Sequence, residues 1–325
     1  MLTRQSALAL AAATFVLQGA GIAHAQEKFP DKPVRVIIPY APGGGSDIIL
    51  RSVVPKLTEQ LGQTVVIDNR PGGSSTIGTG MVARSQPDGY TLLLVDSAFL
   101  VNPSLFPKMP YDSLKDFAPV IFAASSPSIL LVHPSTAART VKELVALAKQ
   151  KPGQLTYGSA GFGTGGHMAS EMLKLAAGID MIHVPYKGAG PAMADALGGH
   201  VTMIFTTAGA AKGPIAAGQM IGLALTGERR LESVPQVPTF TEAGFPDVKA
   251  SITWGVFAPA GTPKDIVARL NGAFNQTFQA PESRNRLADL GFVAGSGTPE
   301  AWAAEVRASI ARWGQVVKQA NIKME

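Results

Sequence analysis

The fold is decided by residues 34–47, VRVIIPYAPGGGSD, in which a short apolar stretch runs into three glycines. Val34–Pro39 has the composition of a buried strand. Ile48–Leu61 is predicted to be a helix that Pro55 kinks or restarts. The elements predicted next are a strand, a helix and a strand: Gln63–Asp68, Thr76–Ala83 and Tyr90–Val95. Such alternation predicts a parallel sheet with helices on its faces.

The same alternation begins again in the second half of the chain. Thr140 and Glu143 have capping-box spacing ahead of the helix Val141–Gln150, and the glycine-rich run Gly161–Gly166 lies between a strand and a helix. The other elements predicted here are the strands Ile129–His133, Leu155–Ser159, Met181–Val184, Val201–Thr206 and Ile221–Leu225 and the helices His167–Ala177, Pro191–Leu197 and Gly209–Ala217. The sequence therefore predicts two α/β units.

The last quarter of the chain predicts a strand followed by helices. The strand is Ser251–Ala258, and Thr262 is expected to be the N-cap of the next helix with Pro263 at its first position. No charged or serine-rich linker separates the units, so the chain should cross between them in loops near Phe117–Ser126 and Asp247–Ser251. The predicted organisation is a signal peptide at 1–25, a first lobe of 26–125 and 251–325, and a second lobe of 126–250.

Composition excludes several classes of protein. Of the 325 residues 46% are hydrophobic and 16% charged, which argues against intrinsic disorder. The absence of cysteine excludes disulfides, thiolate catalysis, cysteine-ligated zinc and a lipid anchor on cysteine. The net charge of +5 comes from scattered cations, whereas nucleic-acid binding needs a clustered basic stripe. No nucleic-acid partner is therefore expected.

The N-terminus has the pattern of a secretory signal peptide. Arg4 precedes the apolar run Ala7–Leu17, and Ala23-His24-Ala25 is a small-x-small cleavage site. The apolar run is shorter than the roughly 20 residues that span a bilayer. We expect cleavage after Ala25 and a free periplasmic protein; a buried N-terminal helix is the competing interpretation.

Two loops have the composition of anion-binding sites built from backbone groups. In each, a strand ends, glycines follow and a helix begins, so that helix N–H groups lack partners and point outward. The absence of Cβ atoms permits close approach, and the helix dipole adds positive charge. The first loop is Tyr40–Asp47, where Asp47 can pair with Arg51, and the second is Ser159–His167. A plain tight turn is the alternative interpretation of the first loop.

Enzyme motifs fit the chain poorly. Gly161–Gly166 matches G-x-G-x-x-G, but Met181–Val184, the next strand, does not end in the acid that a dinucleotide ribose requires, and Asp180 lies at its other end. Nucleophile-elbow, P-loop and H-E-x-x-H motifs do not occur. His167 and Glu171 lie four apart without a third metal ligand. We therefore expect no cofactor, no metal and no catalytic residue, and a dinucleotide-dependent enzyme is the minor alternative to a binding protein.

Several motifs together resemble the TctC/Bug family, the periplasmic solute-binding receptors of tripartite tricarboxylate transporters. The motifs span the mature chain in order and are Val36–Asp47, Asn69–Gly73, Pro87–Leu93, Tyr157–Gly161, His183–Gly188 and Trp254–Pro263. The resemblance implies an α/β, two-lobed Venus-flytrap binding protein of type II-like architecture, in which each lobe is a mixed, mostly parallel sheet flanked by helices. It also implies delivery of ligand to a two-subunit membrane permease, although some members are sensors.

The resemblance further implies which residues bind the ligand. One carboxylate is expected to be held by the two loops, largely through backbone groups and ordered waters, with Ser97 facing the same cleft. His167, Tyr186, Thr206 and Thr207 are expected at the far end of the ligand. The complete set is Tyr40, Ala41, Pro42, Gly43, Gly44, Gly45, Ser46, Asp47, Ser97, Ser159, Ala160, Gly161, Phe162, Gly163, Thr164, His167, Tyr186, Thr206 and Thr207.

The chemistry of these side chains favours a carboxylate without an amine. Thr206 and Thr207 offer hydroxyls and no negative charge, whereas an amino acid needs an acid for its ammonium group. We therefore expect an aliphatic dicarboxylate or aromatic carboxylate, bound by a monomer. An acidic residue elsewhere in the cleft would argue against this preference.

Overall fold

A computed structural model describes residues 29–319, 321 and 322. From Lys32 onward the described residues form one compact unit. The predicted signal peptide, residues 1–25, lies outside the described residues, and its cleavage after Ala25 stays a prediction. Among the described helices, none combines the length and the apolar character that crossing a membrane requires.

The unit alternates strands and helices, as the sequence predicts. The strands are β1 Val34–Ile38, β2 Val65–Asn69, β3 Thr91–Asp96, β4 Phe117–Val132, β5 Thr156–Ser159, β6 Ile182–Pro185, β7 Met203–Thr207, β8 Ile221–Leu225, β9 Ser251–Pro259 and β10 Val293–Ala294. The helices are α1 Gly45–Leu61, α2 Thr76–Ala83, α3 Ala98–Leu105, α4 Val141–Gln150, α5 Gly165–Ala177, α6 Ala189–Leu197, α7 Ala208–Ala216, α8 Lys264–Gln279, α9 Pro281–Asp289 and α10 Pro299–Gln319.

The strands form one sheet in the order β2-β1-β3-β9-β4-β7-β5-β6, with β8 and β10 also paired to β4. β1 runs parallel to β2 and β3, and β5 runs parallel to β6 and β7. β4 joins the two parallel groups: its residues up to Pro127 pair with β9, and its residues from Ser128 pair with β7 and β8. We call the β9 side the first section of the sheet and the β7 side the second section.

Long strand β4 corrects the sequence-based prediction of a loop at Phe117–Ser126. The register with β9 shifts between Pro119 and Ile121 and again between Phe122 and Ala124. The alternation of side chains between the two faces of the sheet is therefore interrupted twice. Residues buried on both faces further hide the alternation that identifies a half-exposed strand. The chain does cross between sections here, but as a continuous strand. The predicted lobe boundaries themselves stay a prediction.

Three smaller predictions also change. Pro55 lies inside α1 without dividing it. The N-cap of α8 is Pro263, because the Thr262 hydroxyl donates to the Pro259 carbonyl at 2.8 Å and closes the preceding turn. α3, which contains Pro103, was not predicted. Thr140, by contrast, is confirmed as the N-cap of α4, where its side chain accepts from the Glu143 N–H at 3.2 Å.

Buried apolar side chains cover both faces of the second section. On one face, Leu144 and Leu173 from α4 and α5 pack with Phe205 and Phe240. On the other face, small alanines of α6 and α7 pack against Ile129 and Ile204. Helices on both faces leave the carboxyl ends of the parallel strands as the edge where loops are free to bind a ligand.

Candidate ligand-binding site

A cavity lies where four helices begin, α1 and α5 together with α6 and α7. It has a volume of about 40 Å³, which is room for a few water-sized groups. The residues around it are Tyr40, Ala41, Gly44, Gly45, Ser46, Asp47, Asp96, Ala160, Thr164, Gly165, Gly166, Ala189, Ile204, Phe205, Thr206, Thr207, Ala210, Ile252 and Trp254. Both sections of the sheet therefore contribute to one site.

The four helices leave their first backbone amides without side-chain caps. The N-cap residues Gly44, Thr164, Gly188 and Thr207 make no side-chain hydrogen bond to the helices that they precede. The first N–H groups of a helix have no acceptor within the helix, and the helix dipole makes this end positive. Among the described residues around the cavity, none is a lysine, arginine or histidine. The cavity is thus suited to an anion held by peptide groups.

Two glycines allow α1 and α5 to approach the floor of the cavity. A Cβ on Gly45 would lie 2.4 Å from the Trp254 ring, and one on Gly165 would lie 2.4 Å from Ile252 Cγ1. Trp254 and Ile252 alternate along β9 and form this floor. The glycines therefore bring two helix N-termini within reach of one small ligand.

Asp47 lies in the first turn of α1, and its carboxylate oxygen Oδ2 accepts two hydrogen bonds. Oδ2 accepts from Arg51 Nε at 2.9 Å and from the Gly43 N–H at 3.1 Å, which confirms the predicted pairing with Arg51. Burial acts to raise the pKa of Asp47, but the bonds from Arg51 and Gly43, with a smaller effect of Asn69, lower it overall. Asp47 therefore stays ionised beside the cavity.

Asp96 ends β3 and is the second acid at the cavity. Its Oδ1 accepts from the Tyr40 hydroxyl at 2.5 Å and from the Ala98 N–H at 3.0 Å. Burial raises its pKa to about 6, and these hydrogen bonds offset part of that rise. Burial and the neighbouring Asp96 raise the pKa of Tyr40. The sequence-based preference for a ligand without an amine rested on the hydroxyls of Thr206 and Thr207 and was conditional on the absence of an acid elsewhere in the cleft. Asp47 and Asp96 both border the cavity and argue against that preference.

The second glycine loop is shaped by hydrogen bonds from Ser159, Thr164 and His167, of which only Thr164 borders the cavity. Ser159 Oγ accepts from the Gly161 N–H at 3.1 Å and lies 2.6 Å from His183 Nε2. The Thr164 hydroxyl donates to the Gly161 carbonyl at 2.7 Å, and the Gly163 N–H donates to His167 Nδ1 at 3.2 Å. His167 thus acts through the loop and faces away from the cavity.

Two stacked histidines support this loop as neutral rings. His183 stacks between Tyr157 and His167, with ring centroids 4.7 Å and 4.5 Å apart. Burial lowers the pKa of His167 to about 4, with a smaller effect of the Lys174 charge. Burial, followed by the neighbouring His167, lowers the pKa of His183 to about 3. Both rings are therefore neutral at neutral pH, and the hydrogen bond from Gly163 assigns the single ring proton of His167 to Nε2.

About half of the predicted site residues lie at the cavity. Those around it are Tyr40, Ala41, Gly44, Gly45, Ser46, Asp47, Ala160, Thr164, Thr206 and Thr207, and those outside its lining are Pro42, Gly43, Ser97, Ser159, Gly161, Phe162, Gly163, His167 and Tyr186. Tyr186 donates its hydroxyl to Asp195 at 2.6 Å, and Ser97 Oγ accepts from the Thr253 N–H at 3.1 Å. Ligand contact by each predicted residue stays a prediction.

Sequence reasoning missed several cavity residues for different reasons. Asp96 directly follows the apolar part of β3, at the edge where parallel strands present ligand-binding groups, and this position could have identified it. Gly165 and Gly166 stood in the glycine-rich run but were not selected. Ile252 and Trp254 come from β9, which reaches the site through antiparallel pairing with β3 and β4. No local signal predicts that pairing.

The chain matches the model of the tripartite tricarboxylate transporter family receptor, TctC, over residues 49–322. It belongs to the TctC family. Among its relatives, a UPF0065 protein from the tcbD-tcbE intergenic region of Pseudomonas sp. strain P51 is 37% identical over 293 residues, 90% of this chain and 87% of the relative. BugT of Bordetella pertussis is 34% identical over 301 residues, 92% of each chain.

Solved structures of similar proteins confirm the two-lobed periplasmic binding-protein fold. The periplasmic binding protein BugD is 31% identical with a TM-score of 0.87, covering 91% of this chain and all of BugD. Rpa4515 of R. palustris with adipate is 34% identical with a TM-score of 0.87, and the match covers 91% of this chain and 99% of Rpa4515. MatC of Rhodopseudomonas palustris with bound malate is 31% identical with a TM-score of 0.84, covering 89% and 100%. TctC receptors bind solutes and are not enzymes, so the alternative of a dinucleotide-dependent enzyme is wrong.

Proposed function

We propose that this receptor captures a small carboxylate in the cavity between the two sheet sections and delivers it to a two-subunit membrane permease. The observation that carries the proposal is the convergence of four helix N-termini on one cavity whose described lining contains no cationic side chain. The carboxylate ligands of two relatives, adipate and malate, support the same class. The permease is proposed from membership of a family named for tripartite transporters.

The strength of binding follows from the number of backbone donors. A hydrogen bond to a charged group contributes roughly 1.5–3 kcal/mol, so four to six amides contribute on the order of 10 kcal/mol. Closure and the ordering of the ligand cost several kcal/mol of this binding free energy. A net binding free energy of about −8 kcal/mol corresponds to a micromolar dissociation constant. That affinity suits capture in the periplasm and release to a permease.

Closure is proposed to move the two sections together around the anion. The ligand stabilises the closed form because each section supplies part of its donors, so its affinity for that form is higher. We propose that the moving bodies are residues 26–125 with 251–325 and residues 126–250, in a monomer. Small-angle scattering with and without ligand should show a decrease in the radius of gyration, and no change at saturation would contradict closure.

The binding experiment compares a side chain added in the first glycine loop with the loss of a cationic side chain. A Cβ on Gly44 would lie 3.6 Å from Ala189 Cβ, and both residues border the cavity, so the larger side chain of Gly44→Val should obstruct the anion. Lys212→Ala removes an exposed cation from α7, one of the four helices. Calorimetry with mono-, di- and tricarboxylates should show at least a tenfold loss for Gly44→Val and little change for Lys212→Ala. The reverse order would contradict binding by peptide groups.

Delivery requires its own test. Proteoliposomes that contain the two-subunit permease should take up the labelled carboxylate when the receptor is added outside. The Gly44→Val receptor should support uptake only at higher ligand concentration. Equal uptake with and without the receptor would contradict a role in transport.

A further inference from the structure

A buried apolar cluster joins the two bodies that are proposed to move during closure. Four of its members belong to residues 26–125 and 251–325, and one belongs to residues 126–250. They are Val101 and Leu105 of α3, Val317 of α10, Ile322 after α10, and Met168 of α5. None of the five is among the described residues around the cavity. The cluster is therefore a contact between the two bodies that lies outside the ligand site.

The second glycine loop continues this contact towards the cavity. A Cβ on Gly163 would lie 3.5 Å from Leu105 Cδ1 and would overlap Asn102 Oδ1, so the loop lies directly against α3. Phe162 packs against the cluster from the same loop. Gly163 has a φ of 74°, and glycine therefore permits both this backbone conformation and the close approach.

Met168 connects the cluster to the end of α5 that borders the cavity. It lies in the first turn of α5, where its N–H donates to the Thr164 carbonyl at 3.0 Å. Gly165 and Gly166 of the same turn border the cavity. One helical turn thus carries both the amides proposed to bind the anion and a fully buried apolar side chain. Separation of α5 from α3 would break both contacts.

Opening of the receptor would expose this cluster to water. Exposure of apolar surface is unfavourable, so the cluster favours the closed form with or without a ligand. Methionine suits a contact that forms and breaks, because its unbranched side chain adapts to different surroundings. We propose that Val101, Leu105, Met168, Val317 and Ile322 form an apolar latch that stabilises the closed form and so strengthens binding of every ligand by the same factor. This inference rests on the proposed closure around a carboxylate.

Alanine variants on the two sides of the latch test its effect on affinity. Met168→Ala and Leu105→Ala should each weaken propionate, succinate and citrate by a common factor of about tenfold, because buried contacts are lost and the population of the closed form scales every affinity alike. Leu173→Ala is the matched control, since Leu173 is buried in α5 but packs within the second section. It should change affinity less than about twofold.

Three results of the calorimetry would overturn the latch. They are unchanged affinities in both latch variants, an equal loss with Leu173→Ala, and a loss confined to one carboxylate, which would place the substituted side chain at the ligand. If Met168→Ala does not fold, Leu105→Ala decides the outcome from the other side of the contact.

Cross-linking without ligand tests the latch separately from carboxylate binding. The chain contains no cysteine, and a Cβ on Gly44 would lie 3.6 Å from Ala189 Cβ, a separation that a disulfide accommodates. In a receptor with Gly44→Cys and Ala189→Cys, the rate of disulfide formation under a fixed oxidant therefore reports closure. Adding Met168→Ala or Leu105→Ala should slow this rate about tenfold, whereas Leu173→Ala should not.

The two experiments separate failure of the latch from failure of the proposed function. Equal cross-linking rates in all these receptors would overturn the latch even if carboxylates bind. Slower cross-linking in the latch variants would support it even if none of the three carboxylates binds, a result that would contradict only the proposed carboxylate capture.

Discussion

The backbone N–H of Phe162 donates to the Oγ of Ser74 at 3.0 Å. This bond joins the second glycine loop to the loop that precedes α2, and so links the two sections of the sheet. Ser74 and its neighbour Ser75 have φ values of 49° and 76°, a left-handed conformation that costs residues other than glycine some energy. The buried Asn102 amide donates to the Ser74 carbonyl at 3.0 Å and holds this conformation in place. We therefore expect Ser74 to stabilise the proposed closed form.

Ser74→Ala should weaken ligand binding by opening the receptor more readily. Loss of one neutral hydrogen bond corresponds to about 1 kcal/mol, or roughly a fivefold increase in the dissociation rate. Stopped-flow measurement of ligand release tests this, with the exposed Ser135→Ala as the control. An unchanged dissociation rate would show that the bond does not contribute to closure.

Asp96 should make carboxylate affinity depend on pH. Its pKa of about 6 lies within the accessible range, and its ionised form repels an anion in the same cavity. Affinity for a carboxylate that stays fully ionised should therefore rise as the pH falls from 7.5 to 5.5. Asp96→Asn should bind more tightly at pH 7.5 and lose most of this dependence, whereas the exposed Asp265→Asn should behave like the unmodified receptor. A persistent slope in Asp96→Asn would assign it to another group.

His167 should make the free energy of unfolding depend on pH, and the same side chain accepts a hydrogen bond from the second glycine loop. The folded protein holds His167 neutral to about pH 4, whereas the unfolded chain is protonated near the usual 6.5. The unfolded state therefore binds more protons between these values, and this group's contribution to the free energy of unfolding falls as the pH drops from 6.5 to 4. Asp96 acts in the opposite direction over about pH 4–6, because its folded pKa is raised.

Substitution of His167 separates these contributions. His167→Ala should lower the free energy of unfolding by about 3 kcal/mol at pH 7 and make its dependence on pH between 4 and 6.5 shallower, while the buried His183 keeps its own contribution of the same sign. It should also weaken ligand binding, since Gly163 loses its acceptor. Chemical denaturation across this range provides the test, with the exposed His200→Ala as the control. An equally steep dependence in His167→Ala would contradict the assignment.

Gly45→Ala should impair binding through a steric conflict. The new Cβ would lie 2.4 Å from the Trp254 ring, so either α1 or the cavity floor must shift, and the first amides of α1 move with it. We expect at least a tenfold loss of affinity by calorimetry. Gly272→Ala adds the same methyl group in α8 with nothing within 4 Å and should slightly stabilise the protein. Similar affinities for the two variants would show that the close approach is not required.

The sequence predicted the alternating elements and the two glycine loops because each depends on local signals. Val34–Ile38 and the glycines at 43–45 carry their strand and turn preferences within a few residues. The cavity floor depends instead on β9, which pairs with β3 and β4 from more than a hundred residues away. The family resemblance placed His167 at the far end of the ligand, yet its ring faces the histidine stack. Which face a side chain takes is decided by tertiary packing.

A crystal structure of the receptor with its bound carboxylate tests the central claim most directly. The distances to measure are those from the carboxylate oxygens to the backbone nitrogens of 45–47 and 165–166. The account predicts that several of these distances are about 3 Å, with no lysine or arginine in contact with the anion. A ligand outside this cavity, or one held chiefly by an arginine, would contradict it.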